Sequence, residues 1–563
     1  MRERAIVPSG LFALARRDIA QKRRPHQKSQ VKHNPNLITT TLLLLVTANV
    51  LAAEQKGRSG VPKLIIGITI DQLRTDYLFA LEDRLTEGGL KMLLDKGVVY
   101  EQVTFDVDNP DATAAMAVLA TGAYAFQNGV PSREVYSTQN MRRQSVFADK
   151  DYLGNFTDAN YSAKALNSTT LADELMTASD NTSRIYSIAP DPESAIIGAG
   201  HTANCAFWID DKQGKWASST YYRNFPNYIE RKNKNQPLSY HLSEAVWEPL
   251  RKFEPLAIMP YHYATDGFSH VFYQYGQPDY QWFKSSPLVN DAIVELSRIL
   301  LTTGSLGNGK NTDMLQLTLY CGTWLHDCPE KYAEELQDMY LRVDRSMKNL
   351  LEIVDRQVGL DNTFIYLTGT GETTQLRQEV EGTRVGIFTA SRCTSLLNSY
   401  LVSLYGKGNY VNDFVDYQIF LDHRSIEQQN LKLSEVQQAA AEFVMMFSGV
   451  EDVVTQYQIL HQDVNERIKR MRRGYDRRSG GDLVISLQPG WSLKYKDNSE
   501  VQPQQRHDFA PGPAILFAPS LQAERIAQPI DATCIAPTVA RAIRIRAPSG
   551  CKQTPFFMGN GKK

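Results

Sequence analysis

The sequence predicts an α/β fold built on a mostly parallel sheet with helices on both faces. Short β-branched apolar runs such as Leu64–Asp71 (LIIGITID), residues 315–320 (LQLTLY) and residues 363–367 (TFIYL) are typical of strands buried inside a parallel sheet. Residues 332–358 have helical spacing and lie between the last two runs, as in an ordinary βαβ crossover. This alternation of strands and helices predicts a sheet covered on both faces.

The predicted elements follow one another in the order that such a fold requires. Residues 81–96 have helical spacing, and residues 98–107 form a strand pattern that leads through a polar turn into an Ala-rich helix. Residues 168–178 have the pattern of a helix and residues 183–188 that of a strand, followed by a polar break at 190–194. The amino-terminal part of the chain therefore alternates as the fold class predicts.

The pattern changes between residue 390 and about residue 460, where helices and short strands replace the alternation. The clearest amphipathic helix there is EVQQAAAEFVMMF (435–447), and residues 514–517 (AILF) then return to the sheet. A chain of 563 residues exceeds what one core usually supports. We therefore expect one large domain with a substantial insertion.

Two polar residues lie where the chemistry of such folds is usually found. Asp71 ends the first strand, and ligands of open α/β sheets gather beyond the carboxyl ends of the strands. Thr113 lies at the start of the Ala-rich helix, where a hydroxyl can attack phosphorus because the local amides favour an anion. The alternative for each is simple helix capping, by Asp71 near Leu73 and by Thr113 in its own helix.

The amino terminus has the order of a secretory signal. Residues 1–36 carry nine Lys or Arg and two acidic residues, a net charge of +7. The whole chain has a net charge of −1, so the remaining residues carry −8. The apolar run 37–51 (LITTTLLLLVTANVL) and Ala52–Ala53 follow, so residues 37–53 predict export with cleavage near Ala53 and a periplasmic or secreted protein. An uncleaved anchor is the alternative. The acidic body offers no broad basic face, which argues against nucleic acid as a partner.

The six cysteines leave two interpretations open. In an oxidising compartment Cys321 with Cys328, or Cys534 with Cys551, are the pairs closest in sequence. The alternative is that several are simply buried small residues. No CxxC spacing occurs, so a zinc site made from cysteines is not expected.

Several further segments, in order along the chain, carry a resemblance to a known family. They are 88–95 (GGLKMLLD), 199–210 (AGHTANCAFWID), 214–222 (GKWASSTYY), 340–344 (YLRVD), 474–491 and 536–539 (APTV). With the Asp71 and Thr113 segments they resemble the alkaline phosphatase superfamily in its type I phosphodiesterase/nucleotide pyrophosphatase branch, especially bacterial periplasmic alkaline phosphatases with a threonine nucleophile. The resemblance implies an alkaline-phosphatase-like three-layer sandwich over residues 63–548, with an α+β cap-like insertion at 390–500.

The resemblance also implies two zinc ions, which together stabilise both ends of the displacement at phosphorus. One ion is held by the equivalents of Asp71, Thr113 and an Asp-His pair, which falls on Thr370 and Gly371 here. The other is held by an Asp-x-x-x-His motif and a late His. That motif has Gly322 in place of Asp and retains His326.

The late His of the family aligns near Pro503, and His507 would need a shift of several residues to replace it. Neither ion therefore keeps a full ligand set, and protein zinc sites normally use at least three protein ligands. Acidic residues close in sequence to the lost ligands could rebuild a site, although they change its charge and geometry. These are Asp108, Asp111, Asp327 and Glu372.

The substrate side is altered as well. The Lys-x-Arg pair that clamps phosphoryl oxygens in the monoesterase relatives aligns with Asp191 and Glu193, whose charges would repel a phosphate dianion. An Asn that assists the clamp aligns near Arg133, and His201 fits the family pattern as a neutral structural residue.

Two functions remain in competition. The favoured hypothesis is an exported, non-hydrolytic member that binds zinc poorly, with Thr113 vestigial and a binding or accessory role. The alternative is an active metal-dependent phosphomonoesterase or phosphodiesterase with a rearranged metal site, with Thr113 as nucleophile and phosphate esters as substrates. A sulfatase would need a Cys/Ser-x-Pro-x-Arg turn, which NPDATAAM does not contain.

Overall fold

The computed structural model describes residues 61–556 except 109–110, 224, 260–266, 275, 327–330, 372–385, 463–464, 500 and 505–510. The predicted basic extension and signal segment lie outside these residues, as do Asp327, Cys328, Glu372 and His507. No helix in the described part of the chain is long and apolar enough to cross a bilayer.

The strands of the two main sheets are numbered together in chain order. They are β1 (Leu64–Asp71), β2 (Val98–Thr104), β3 (Gly154–Asn155), β4 (Ile185–Ile188), β5 (Cys205–Ile209), β6 (Trp216–Ser219), β7 (Asp313–Tyr320), β8 (Thr363–Gly369), β9 (Val411–Val415), β10 (Gln418–Leu421), β11 (Val450–Thr455), β12 (Leu483–Leu487), β13 (Gly512–Phe517), β14 (Glu524–Ile526) and β15 (Ile530–Asp531).

The α-helices are numbered in the same way. They are α1 (Thr75–Ala80), α2 (Leu90–Lys96), α3 (Ala112–Thr121), α4 (Ala125–Asn128), α5 (Leu171–Ala178), α6 (Pro192–Ala199), α7 (Asn227–Asn235), α8 (Leu238–Leu242), α9 (Tyr280–Lys284), α10 (Leu288–Thr302), α11 (Ala333–Gln357), α12 (Ala390–Tyr405), α13 (His423–Gln428), α14 (Leu433–Val444), α15 (Gln456–His461), α16 (Glu466–Gly474) and α17 (Ile535–Ala542).

The larger sheet has eleven strands in the order β14-β2-β13-β8-β1-β7-β4-β5-β6-β3, with β15 beside β2. Strands β8, β1, β7, β4 and β5 are parallel neighbours, and β13 and β6 run against them. Buried residues of α2, α3, α6, α10 and α11 join these strands in one apolar core. The predicted mostly parallel α/β sheet is confirmed. β1 lies at its centre, where its side chains are almost wholly buried.

The smaller sheet pairs β9, β10, β12 and β11 antiparallel. Helices α12, α13 and α14 cover it, and their apolar residues join those of the sheet in a second core. This core also includes Phe388, two residues before the range predicted for the insertion, and Leu493 within that range. The boundaries 390–500 remain a prediction.

The helix expected over residues 81–96 is interrupted. A 3₁₀ turn covers Glu82–Arg84, and α2 begins only at Leu90. A Cβ on Gly89 would lie 2.2 Å from Asp344 Oδ1, and the Asp344 carboxylate accepts hydrogen bonds from the Thr86 and Leu90 N–H groups. The glycine and this long-range carboxylate therefore set the start of α2.

The described cysteines are free thiols. Cys205, Cys321 and Cys393 are buried, as the small-residue interpretation expects. The suggested Cys534–Cys551 pair is not formed, and the Cys551 thiol instead donates to the Thr121 carbonyl at 3.2 Å.

Candidate functional site

The site lies where three neighbouring parallel strands end. Strand β1 pairs with β7 on one side and with β8 on the other. The residues that follow these strands therefore meet at one edge of the sheet. This places Asp71 beside the segments that carry His326 and Thr370.

Asp71 is hydrogen-bonded by a side chain from the end of β8. The Thr370 hydroxyl donates to Asp71 Oδ1 at 2.7 Å, and the Gln72 N–H donates to Thr370 Oγ1 at 3.1 Å. Burial, with smaller contributions from the negative charges of Asp191 and Asp111, raises the pKa of Asp71 to about 6. The capping alternative for Asp71 is wrong, because the residue at the N-cap of α1 is Arg74.

The Gln72 side chain connects Asp71 to the end of β7. Gln72 has a left-handed backbone (φ 61°), and its amide Nε2 lies 3.2 Å from His326 Nδ1. The Tyr320 hydroxyl lies 3.3 Å from the same ring nitrogen. Burial lowers the pKa of His326, which favours the neutral imidazole.

Gln72 also fills the space next to Gly322. A Cβ built on Gly322 would lie 2.4 Å from Gln72 Oε1 and 2.7 Å from the Tyr320 hydroxyl. A side chain at this position would therefore require the ends of the Gln72 and Tyr320 side chains to move. The sequence offered no sign of this contact, since Gln72 belongs to none of the motifs.

Thr113 is the second residue of α3 and is buried. The residue that caps α3 is Asp111, whose carboxylate accepts from the Ala114 N–H at 2.8 Å and from the Arg133 N–H at 2.6 Å. The capping alternative for Thr113 is therefore wrong. Asp111, which the sequence offered as a replacement metal ligand, has both carboxylate oxygens engaged by backbone groups.

The two acids at the clamp position are balanced by cations. Lys284 Nζ, at the end of α9, lies 2.9 Å from Asp191 and 2.6 Å from Asp211. The Arg133 guanidinium lies 3.6 Å from both Asp191 and Glu193. Burial alone would raise the pKa of Asp191, but Lys284 and Arg133 hold it down to about 2. Sequence reasoning missed Lys284, because no motif surrounds it.

Asp108 lies in a different ion network. Arg470 of α16 lies 3.2 Å from Asp106 and 3.8 Å from Asp108, and Arg473 contacts the Asp106 carboxylate. These contacts join α16 to the segment after β2. Within the described ranges, no group of three or more His, Cys, Asp or Glu side chains is arranged to hold a metal ion.

His201 is structural, as expected, but its hydrogen bonds differ from those of a neutral ring. Its Nδ1 lies 2.9 Å from an Asp173 carboxylate oxygen, and its Nε2 lies 3.1 Å from the Leu166 carbonyl. Because both partners are acceptors, this arrangement favours the protonated imidazolium. The Asp173 hydrogen bond raises the pKa of His201.

Comparison with known proteins places this geometry in context. Residues 65–510 match the family described as type I phosphodiesterase / nucleotide pyrophosphatase. "Alkaline phosphatase PhoV" of Synechococcus elongatus is 26% identical over 540 residues, covering 91% of this chain and 97% of its own. "Calcium-transporting ATPase" of Myroides odoratus is 26% identical, covering 92% of this chain and 98% of its own.

A third relative, "Alkaline phosphatase PafA" of Elizabethkingia meningoseptica, is 24% identical and covers 91% of this chain and 97% of its own. A crystal structure of alkaline phosphatase PafA superposes with a TM-score of 0.76 at 23% identity, covering 89% of this chain and 99% of that one. The expected alkaline-phosphatase-like fold is thereby confirmed.

Proposed function

We propose that this chain, which belongs to the type I phosphodiesterase/nucleotide pyrophosphatase family, is an exported, non-hydrolytic member of the alkaline phosphatase superfamily. Its role would be binding or accessory. Such a protein has three testable properties. It binds zinc poorly, it hydrolyses phosphate esters slowly or not at all, and it leaves the cytoplasm after signal cleavage.

The observation that carries the proposal is that polar side chains contact the two implied ligands that remain at the strand ends, Asp71 and His326. The Thr370 hydroxyl occupies one oxygen of Asp71, and Gln72 fills the space that a carboxylate at position 322 would need. Zinc in proteins is normally held by three or more His, Cys or carboxylate ligands. Of the implied ligands, Asp71, Thr113 and His326 remain among the described residues, and these complete neither of the two zinc sites of the family.

Thr113 keeps its place at the start of α3, but no metal-ligating cluster is found among the described residues to activate it. A neutral hydroxyl is a weak nucleophile until a metal ion or a base lowers its pKa. Asp111, the acid nearest to Thr113 in the chain, caps the helix through two backbone N–H groups. Asp111 is therefore engaged in capping and is not available to deprotonate the hydroxyl.

The charges around the clamp position also disfavour a phosphate dianion. Arg133 and Lys284 are the cations there, and each is already paired with at least two carboxylates. An incoming dianion would have to compete with Asp191, Glu193 and Asp211 for the same cations. Weak binding of phosphate monoesters follows.

The second candidate is an active metal-dependent phosphoesterase with a rearranged site. It is favoured by the retained Thr113 at the start of α3 and by relatives named alkaline phosphatases. Such a site would have to recruit Glu372, Asp327 or His507, which lie outside the described residues.

Zinc content and hydrolysis distinguish the two candidates. We expect less than one zinc ion per chain by elemental analysis after dialysis, and little turnover of aryl phosphate monoesters or diesters. Thr113→Ala should leave that residual rate unchanged, as should the control Thr303→Ala at an exposed threonine. Two tightly bound ions, with zinc-dependent turnover that Thr113→Ala abolishes, would establish the hydrolase instead.

A rebuilt site provides the converse test. The double variant Thr370→Asp/Gly371→His restores the ligand set implied around Asp71 and removes the competing hydroxyl. It should bind about one zinc ion more than the wild type. Unchanged zinc content would show that these positions do not limit metal binding.

Export is tested by the mass of the mature protein. Cleavage near Ala53 removes the basic and apolar segments. A full-length cytosolic product would contradict this part of the proposal without affecting the site.

A further inference from the structure

A small cavity lies between the two cores, on the side of α3 that carries Ala114. Its volume is about 70 Å³. Residues of α3, of the turn between β9 and β10, and of α16 with the segment after it contribute to its walls, including Ala114, Val118, Asp416, Tyr417, Arg473 and Tyr475. Asp71, His326 and Thr370 do not line it, so it is separate from the strand-end site.

The turn that reaches this cavity is strained. Val415 pairs with Gln418, so Asp416 and Tyr417 alone form the turn, with φ values of 47° and 58°. Two-residue turns with positive φ at both positions strongly prefer Asn-Gly or similar pairs, and a tyrosine there is unusual. Strained residues of this kind persist where the surrounding structure holds them, often at functional positions. The strain here places a carboxyl group in the cavity wall.

The charged side chains of the cavity wall are Asp108, Asp416 and Arg473. Arg473 is engaged with Asp106, and Asp108 lies 3.8 Å from Arg470. The Ser132 hydroxyl lies next to Asp416 but donates to the Glu134 carbonyl at 2.7 Å, and the charge that acts on Asp416 is the negative charge of Asp111. Among the described residues, no Lys or Arg forms an ion pair with Asp416. Burial, followed by the charge of Asp111, raises the pKa of Asp416 to about 7.

The rest of the cavity wall is largely apolar or aromatic and can contact the carbon atoms of a ligand. Ala114 and Val118 are buried apolar residues of α3. The Tyr124 hydroxyl donates to Asp531 at 2.7 Å, and the Tyr475 hydroxyl donates to the Gly481 carbonyl at 2.9 Å. Because their hydroxyl groups are engaged, these tyrosines contact a ligand through their aromatic rings. Aromatic rings attract cations as well as apolar groups.

We propose that this cavity binds a small organic cation, with an ammonium group against Asp416 and a short carbon chain against the apolar wall. An apolar pocket with a few convergent polar groups is the usual form of a small-molecule site. Binding of such a cation is independent of whether Thr113 supports hydrolysis.

The volume sets the size of the probe. Water takes about 30 Å³ in the liquid, so the cavity accommodates roughly two to three waters or a ligand part of a few non-hydrogen atoms. n-Propylammonium suits this space. 1-Propanol and propionate are its neutral and anionic counterparts.

The experiment measures binding of the three probes to the full mature protein, in buffer containing a chelator, by ligand-observed NMR and calorimetric titration. We expect millimolar binding of n-propylammonium, at least tenfold tighter than 1-propanol, and no binding of propionate. Asp416→Asn should remove the preference for the cation, whereas Asp83→Asn, the same change at an exposed acid, should preserve it. Equal binding of the cation and the alcohol, or no saturable binding, would overturn the proposal.

Two further variants test whether the cation binds in the cavity or at the strand-end site. Ala125→Leu adds volume to another buried residue of the cavity wall and should weaken binding of all probes, with thermal unfolding reporting whether the fold is intact. His326→Asn should leave n-propylammonium binding unchanged, because His326 belongs to the strand-end site and does not line the cavity. Loss of binding in His326→Asn would place the ligand at the strand-end site and refute the cavity. Zinc-dependent hydrolysis with normal cation binding would refute only the proposed function.

Discussion

Replacing Asp71 by Asn should stabilise the protein at neutral pH, although Asp71 corresponds to a metal ligand of the family. Burial is the largest cause that raises the pKa of its carboxyl group, from 3.8 to about 6. A raised pKa in an acid means that the folded state binds a proton more tightly than the unfolded state. Stability therefore falls as pH rises from about 4 to about 6, and the full cost is present above that range.

The magnitude follows from the size of this shift. Two pKa units correspond to about 3 kcal/mol between the two protonation states. Asn keeps the shape of the side chain and still accepts the Thr370 hydroxyl, but it carries no charge to bury. At about 2.1 cal/mol/K of unfolding entropy per residue, 3 kcal/mol in a chain of this size raises the melting temperature by about 2–3 °C.

The assay is thermal unfolding of wild type and Asp71→Asn from pH 5 to pH 8, with chelator and with added zinc. The gap in melting temperature should grow up to about pH 7 and be the same with and without zinc. The exposed-acid variant Asp83→Asn should show no such gap. A destabilised Asp71→Asn protein, or zinc stabilisation of the wild type alone, would show that Asp71 holds a metal and that the side chains around it do not exclude one.

Three further predictions concern the polar contacts. The Asp173 hydrogen bond raises the pKa of His201, so the stabilising contribution of His201 is complete below pH 6.5 and is lost as pH rises through the raised value. His201→Asn should therefore lower the melting temperature more at pH 6 than at pH 9. A pH-independent effect would contradict this. Gly322→Asp should lower the free energy of unfolding in urea by about 1–3 kcal/mol, because its Cβ meets Gln72, and Gln72→Ala in the same chain should recover most of the loss. Thr370→Val should cost about 2–4 kcal/mol in the same measurement, because it removes the hydroxyl that donates to the buried Asp71 carboxylate and accepts from the Gln72 N–H. A neutral effect would show that water replaces the hydroxyl.

The strand and helix pattern was predictable because local periodicity records burial. The run Leu64–Asp71 is the central strand of the sheet, and the crossover helix predicted over residues 332–358 is found at Ala333–Gln357 between β7 and β8. Prediction failed near residue 89, where a glycine faces the carboxylate of Asp344, far away along the chain. Such a contact leaves no periodic signal in the local sequence.

The sequence by itself determined the family, the fold class and which of the family's ligand types are missing, because motif order and residue identity are properties of the chain. Only the tertiary structure decided what replaced those ligands. Thr370 bonds Asp71 across 299 residues because β1 and β8 are parallel neighbours, and Gln72 reaches His326 through a left-handed turn after β1. Lys284 neutralises Asp191 in the same way, from a helix 93 residues away. These contacts depend on strand order and backbone geometry, which no short motif specifies.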